Sequence, residues 1–119
     1  VYLEQKRDVK KAFEYFKKIY ELDQNLLEPY LGMGIIYART NQLDKAVTMF
    51  TKGLNNKTTK TIEMRINHEQ IRQTILFNLA QCFEQTNKKN EAKEYYELLL
   101  KTKFPMKEKV KQRLSQLTS

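Results

Sequence analysis

The chain has 119 residues, with 22 basic and 14 acidic side chains, a net charge of +8, three glycines, two prolines and one cysteine. This length fits one domain, and the scarcity of glycine and proline favours an almost wholly helical fold. The composition excludes an internal disulfide, because Cys82 has no partner, and a histidine-rich metal site, because His68 is the only histidine; no apolar run reaches the roughly 18 residues of a membrane span.

The positive charge is concentrated at the C-terminal end. Residues 1–30 carry six basic and six acidic side chains, whereas residues 101–119 carry six basic side chains against Glu108 alone. Lysine outnumbers arginine 17 to 5, although bidentate readout of bases favours arginine. A solvated basic face is therefore the first interpretation of this end, and a surface for an acidic partner is the second.

The spacing of apolar residues predicts six helices, over residues 8–22, 28–40, 43–55, 61–86, 89–102 and 106–117. Asn41 and Asn87 fall at two of the predicted turns, where asparagine tolerates the left-handed conformation. Asp8, Asp44 and Asn90 lie near the starts of the following helices and are expected to be capping residues.

One spacing recurs along the chain, in which a small residue precedes an aromatic residue by four positions. It occurs at Ala12 and Phe16, at Ala46 and Phe50, and at Ala92 and Tyr96. The second pair is preceded by Tyr30-x-x-Met33-Gly34-x-x-Tyr37, and the third by Leu76-x-x-Leu79-Ala80-x-x-Phe83. In both, the small residue of the first helix stands twelve positions before the alanine of the second.

This pattern resembles the tetratricopeptide repeat, whose W-x2-L-G-x2-Y…A-x3-F…P signature has a period of about 34 residues. Tyr30 takes the place of the tryptophan, Ala80 that of the glycine in the third copy, and Pro105 lies near that copy's end. The resemblance covers about residues 1–106. It implies an all-α, right-handed solenoid of antiparallel helix pairs. Its parts would be a partial repeat over 1–26, a repeat over 27–60, a repeat with an extended leading helix over 61–106, and a capping helix over 107–119.

The resemblance also assigns the small residues. Gly34, Ala46, Ala80 and Ala92 are expected where paired helices touch, while Gly32 is expected to face a groove and leave room there. Because the first unit lacks most of its leading helix, we expect further repeats before Val1.

Twelve extra residues separate the second and third copies. After a predicted loop at residues 55–59, Ile62, Ile66 and Ile71 keep a helical spacing, which predicts a leading helix of about 25 residues, or about 38 Å. The sequence leaves open whether this helix packs over the neighbouring repeat or forms a docking ridge for another subunit.

No catalytic constellation is present in the sequence. His68 is interpreted as a surface residue, Cys82 as a buried thiol, and Glu94 and Glu97 as ordinary solvent-facing carboxylates. Neither a glycine-rich phosphate loop nor a nucleophile elbow occurs. We therefore expect no enzyme activity and no cofactor.

The resemblance implies a concave groove lined by the leading helices. Counting from Gly34 and Ala80, the groove-facing positions are Glu28, Leu31, Gly32, Ile35, Ala38 and Arg39 on one helix, and Thr74, Phe77, Asn78, Gln81 and Gln85 on the next. Leu31, Ile35 and Phe77, if exposed together, would form an apolar patch that indicates a partner. Asn78 stands where such domains hydrogen-bond a peptide backbone. Alternatively, the chain's own helices fill the groove.

Some tetratricopeptide domains grip the acidic tails of heat-shock chaperones with a two-carboxylate clamp, and this sequence fits that clamp poorly. Leu31 and Ile35 stand at the positions of its first polar pair, Asn78 fits the second position, and Lys107 and Lys111 offer the third only loosely.

The resemblance thus implies a non-catalytic protein–protein interaction module, which scaffolds an assembly or binds a peptide segment. A single cysteine suits a reducing compartment, so a cytoplasmic or nuclear location is expected. Two alternatives stay open: a basic surface for nucleic acid or an anionic membrane, and a regulatory part of a larger enzyme.

Overall fold

The structure, a computed structural model, describes residues 2–56 and 68–118. These residues form six α-helices: α1 (Tyr2–Leu22), α2 (Glu28–Arg39), α3 (Leu43–Asn55), α4 (His68–Gln85), α5 (Lys89–Leu100) and α6 (Lys107–Thr118). The all-α prediction is confirmed. Residues 61–67 of the predicted extended helix, and the question of a docking ridge there, lie outside the described residues.

The helices stack in chain order. α2 packs against α3, and α4 against α5, as pairs joined by short turns, which makes the members of each pair antiparallel. α1 packs on α2, α3 on α4, and α5 on α6. α2 also touches α4, so the first helices of the two adjacent pairs are in contact. Neighbour-to-neighbour packing of this kind is typical of helical repeats.

The turns inside the two pairs have the same hydrogen-bonded geometry. Asn41 has a φ of 60°, and the N–H of Gln42 donates to the carbonyl of Tyr37 at 2.8 Å. Asn87 has a φ of 61°, and the N–H of Lys88 donates to the carbonyl of Phe83 at 2.8 Å. Both turns are Schellman motifs, in which one left-handed residue ends the helix. The predicted left-handed role of the two asparagines is confirmed.

The predicted capping residues are wrong. The N-cap of α3 is Gln42 and that of α5 is Lys88, and neither makes a side-chain capping bond. Because the Schellman turn is so short, the residue after the left-handed asparagine is already the N-cap. Asp44 and Asn90 consequently lie within the first turns of their helices, and Asp8 lies inside α1.

Small residues mark the contact between paired helices, as expected. A Cβ added to Gly34 would overlap the ring of Phe50, which lies on the partner helix. Ala46, Ala80 and Ala92 are completely buried. The cost of glycine within α2 is therefore offset by close approach of the two helices.

The expectation that Gly32 faces an open groove is wrong. A Cβ at this position would overlap the ring of Phe16 on α1. Gly32 thus serves the contact between α1 and α2, while Gly34, two residues on, serves the contact with α3. Aromatic rings fill the space on both sides of α2.

Candidate functional site

An open cleft of about 510 Å³ lies between α2 and α4. Its lining consists of Ile35, Ala38, Arg39, Asn78, Gln81, Cys82 and Gln85. All but Cys82 are positions that the sequence placed in the groove. The structure therefore brings the C-terminal halves of the two predicted rows together.

Helical periodicity explains why these residues share a face. Ile35, Ala38 and Arg39 follow an i, i+3, i+4 spacing on α2, and Asn78, Gln81 and Gln85 follow i, i+3, i+7 on α4. Cys82 is buried and Ile35 and Ala38 are half-buried, whereas Arg39 and Gln85 are exposed. The cleft thus has an apolar floor and a polar rim.

The amide groups along the rim can bind a second chain. Asn78 donates from Nδ2 to the carbonyl of Thr74 at 2.8 Å, which fixes its orientation. Its Oδ1, and the amides of Gln81 and Gln85, make no hydrogen bond to the described residues. A side-chain amide offers both a donor and an acceptor, as a peptide backbone requires.

Phe77 does not belong to the groove, so its predicted exposure is wrong. It is 8% exposed, with its ring centroid 6.1 Å from that of Tyr96 and 5.6 Å from that of Phe104. Lys109 of α6 places its Nζ 5.6 Å from the same ring. One residue along a helix is a rotation of about 100°, which turns Phe77 away from Asn78 and beneath α6.

Three other predicted groove residues lie elsewhere. Leu31 is half-buried against the core and does not line the cleft, and the half-buried Glu28 has a carboxylate oxygen inside the protein. Thr74 lines a separate cavity of about 770 Å³ between α4 and the connection from α5 to α6. The cleft therefore includes only the C-terminal part of the predicted groove positions.

A second cleft, of about 330 Å³, adjoins the first between α4 and α6. It is lined by Gln81, Glu84, Gln85, Lys109 and Arg113. The α4 residues stand 46 positions after Ile35, Ala38 and Arg39, which is the offset between Gly34 and Ala80. This repeat offset could have identified Glu84 from the sequence. The cations from α6 could not be found in this way, since the sequence pointed to Lys107 and Lys111.

Glu84 joins three helices. Arg113 of α6 donates from Nε to its carboxylate at 3.1 Å and from Nη2 to the other oxygen, and the hydroxyl of Tyr96 on α5 also donates to it. Burial alone would raise the pKa of Glu84, but these donors and the charge of Arg113 together hold it below its usual value. Burial, followed by the contact with Glu84, raises the pKa of Tyr96. The three side chains fasten α6 to the pair of α4 and α5.

Cys82 lies in the cleft wall as a buried thiol, as the sequence predicted. Burial raises its pKa, so the thiolate needed for nucleophilic chemistry is disfavoured. Within residues 2–56 and 68–118, histidine, cysteine and carboxylate side chains form no group of three that could hold a metal ion. Over the same residues, none of the helices has the length and apolar character needed to cross a membrane.

Comparison with known proteins identifies the repeat. Residues 73–104 match the family model of the tetratricopeptide repeat. Among solved structures, the chain is similar to the type III secretion chaperone SycD of Yersinia enterocolitica, crystallised in complex with a peptide of the translocator YopD. The two share 19% sequence identity with a TM-score of 0.69, over 96% of this chain and 79% of that chain. This likeness shows the fold. Comparison with curated protein sequences gave no match.

Proposed function

We propose that this chain, whose residues 73–104 match the tetratricopeptide-repeat model, is a non-catalytic interaction module that binds an extended peptide segment in the cleft between α2 and α4. The observation that carries the proposal is the lining of that cleft. An apolar floor at Ile35 and Ala38 lies beside the amides of Asn78, Gln81 and Gln85.

This lining suits the two requirements of peptide recognition. Ile35 and Ala38 offer apolar surface to a side chain of the peptide, while the amide groups pair with its backbone. Arg39 stands at the cleft's edge, where it can fix the direction of the bound chain. The presence of a bound peptide in the SycD crystal structure supports this use of the fold.

Selection from a phage-displayed library of random peptides tests the proposal. We expect enriched peptides to bind the wild-type protein and to lose at least about tenfold in affinity for Ile35→Glu, which places a charge on the apolar floor; tenfold corresponds to about 1.4 kcal/mol. Circular dichroism should show that this variant is still folded.

Thr48→Glu is the matched control, since it adds the same charge at an exposed position on α3, outside the cleft. It should bind the selected peptides like the wild type. If the selected peptides bind Ile35→Glu and the wild type equally, the cleft is not the binding site.

A further inference from the structure

We propose that the bound peptide is acidic, and that Arg39 of α2 and Lys109 of α6 contact its carboxylates from the two sides of α4. This inference rests on the proposed function and adds the chemical class of the partner. It also places the acidic partner in the two clefts beside α4, whereas the sequence suggested the basic C-terminal end as a whole.

The two clefts form one continuous surface. Gln81 and Gln85 line both the cleft between α2 and α4 and the cleft between α4 and α6. Arg39 stands on one side of this pair of amides, and Lys109 and Arg113 stand on the other. A peptide that crosses α4 therefore passes a neutral centre flanked by cations.

The positive charges lining this surface are only partly neutralised by carboxylates. The linings of the two clefts contain three of them against one carboxylate, that of Glu84. Glu84 is already engaged by Arg113 through two hydrogen bonds. Arg39 and Lys109 are exposed and form no ion pair with any described residue. The surface therefore keeps two positive charges for a ligand.

Lys109 is held in place by the protein. Its Nζ lies 5.6 Å from the centroid of the Phe77 ring, which is buried beneath it. A cation–π contact of this kind keeps the ammonium at the cleft without consuming its hydrogen-bond donors. Phe77, which the sequence placed in the groove, thus supports the ammonium group of Lys109 and does not itself contact the partner.

The same surface is poorly suited to RNA. Single-stranded nucleic acid needs exposed aromatic rings on which bases stack, but neither cleft is lined by an aromatic residue, and the Phe77 ring is covered. Carboxylates on a peptide match the remaining chemistry, which consists of two separated cations and neutral amides. The lysines outside the clefts add a field that attracts any acidic partner.

The test uses the peptides selected from the library, each synthesised again with every aspartate and glutamate replaced by asparagine and glutamine. Acidic residues should be enriched in the selected peptides, and their replacement should lower affinity about two- to fivefold for each carboxylate that pairs with an exposed cation. Lys109→Gln and Arg39→Gln should lower the affinity of the acidic peptides by a similar factor, and leave that of the amide versions unchanged. Lys52→Gln, an exposed lysine on α3, is the charge-matched control and should change neither.

The possible failures are distinguishable. If the amide peptides bind as tightly as the acidic ones but still lose affinity for Ile35→Glu, the acidic class is overturned while peptide binding in the cleft stands. If no selected peptide is sensitive to Ile35→Glu, both proposals are overturned. Displacement of the peptide by a single-stranded oligouridylate, with the same dependence on Lys109, would also overturn the acidic-peptide proposal.

Discussion

Arg113 of α6 donates a hydrogen bond from Nε to Oε1 of Glu84 on α4, at 3.1 Å. The carboxylate side chain is 10% exposed and the guanidinium side chain 43% exposed, so the bond lies at the edge of the core. In α2 the position equivalent to Glu84 is Ala38, which lines an open cleft. The two neighbouring clefts therefore share one repeat geometry, but an ion pair occupies part of the second.

The first prediction concerns Glu84 and pH. The folded protein holds the pKa of Glu84 below its ordinary value, which for glutamate is about 4.3. Its ionised form therefore stabilises the fold above that pH, and this stabilisation is lost as the pH falls through the lower folded value. Glu84→Gln should be less stable than the wild type at neutral pH, and the gap should close as the solution becomes acidic.

Urea unfolding followed by circular dichroism at several pH values measures this gap. Glu97→Gln, which changes an exposed carboxylate on α5, is the control and should stay close to the wild type throughout. A gap for Glu84→Gln that is independent of pH would show that the ion pair does not contribute to stability.

The second prediction concerns the contact between α2 and α3. Gly34→Leu should lower the free energy of unfolding by about 1–3 kcal/mol or more, because the new side chain overlaps the ring of Phe50 and overpacks a close contact. Lys52→Leu adds the same side chain at an exposed position on α3 and should change stability by less than about 0.5 kcal/mol. Equal denaturation midpoints for Gly34→Leu and the wild type would mean that the helix pair does not approach closely at this glycine.

The third prediction concerns the turn between α4 and α5. Asn87→Ala should destabilise the protein by about 1–2 kcal/mol, since alanine tolerates a φ of 61° poorly. Asn87→Gly should be as stable as the wild type or more so, because glycine adopts this conformation freely. Thermal melts of the two variants separate loss of the side chain from strain in the backbone. A destabilised glycine variant would assign the role to the side chain.

Asn90→Ala serves as the reference for this pair of variants. If Asn90 capped α5, its replacement would cost about 1 kcal/mol. The structure makes Lys88 the N-cap and places Asn90 inside the first turn. We therefore expect Asn90→Ala to leave the melting temperature unchanged or to raise it slightly, as alanine has the higher helix propensity.

Features that depend on local sequence could be predicted. The left-handed asparagines are evident because few residue types tolerate that conformation, and both fall between two periodic segments. The close contacts at Gly34 and Ala80 are evident because each stands twelve positions before an alanine, in register, in two copies. The helices, their pairing and the C-terminal half of the cleft follow from these signals.

Features that depend on a distant helix could not be predicted. Phe77 lies on a face of α4 that points away from Asn78 and is covered by α6, and no periodicity within α4 reports on α6. The space beside Gly32 is similarly filled by the ring of Phe16 on α1, which lies outside the pair of α2 and α3. The ion pair of Glu84 with Arg113 joins residues that are 29 positions apart. The same orientation of α6 places Lys109, and not Lys107 or Lys111, at the cleft.

The most direct test of peptide binding in the cleft is a nuclear magnetic resonance titration that follows side-chain amides. A peptide selected from the random library should shift the side-chain amide signals of Asn78, Gln81 and Gln85 along one saturable curve, while that of Asn90 on α5 stays in place. If the peptide binds and these three signals remain fixed while amides outside the cleft move, the proposed binding site is wrong.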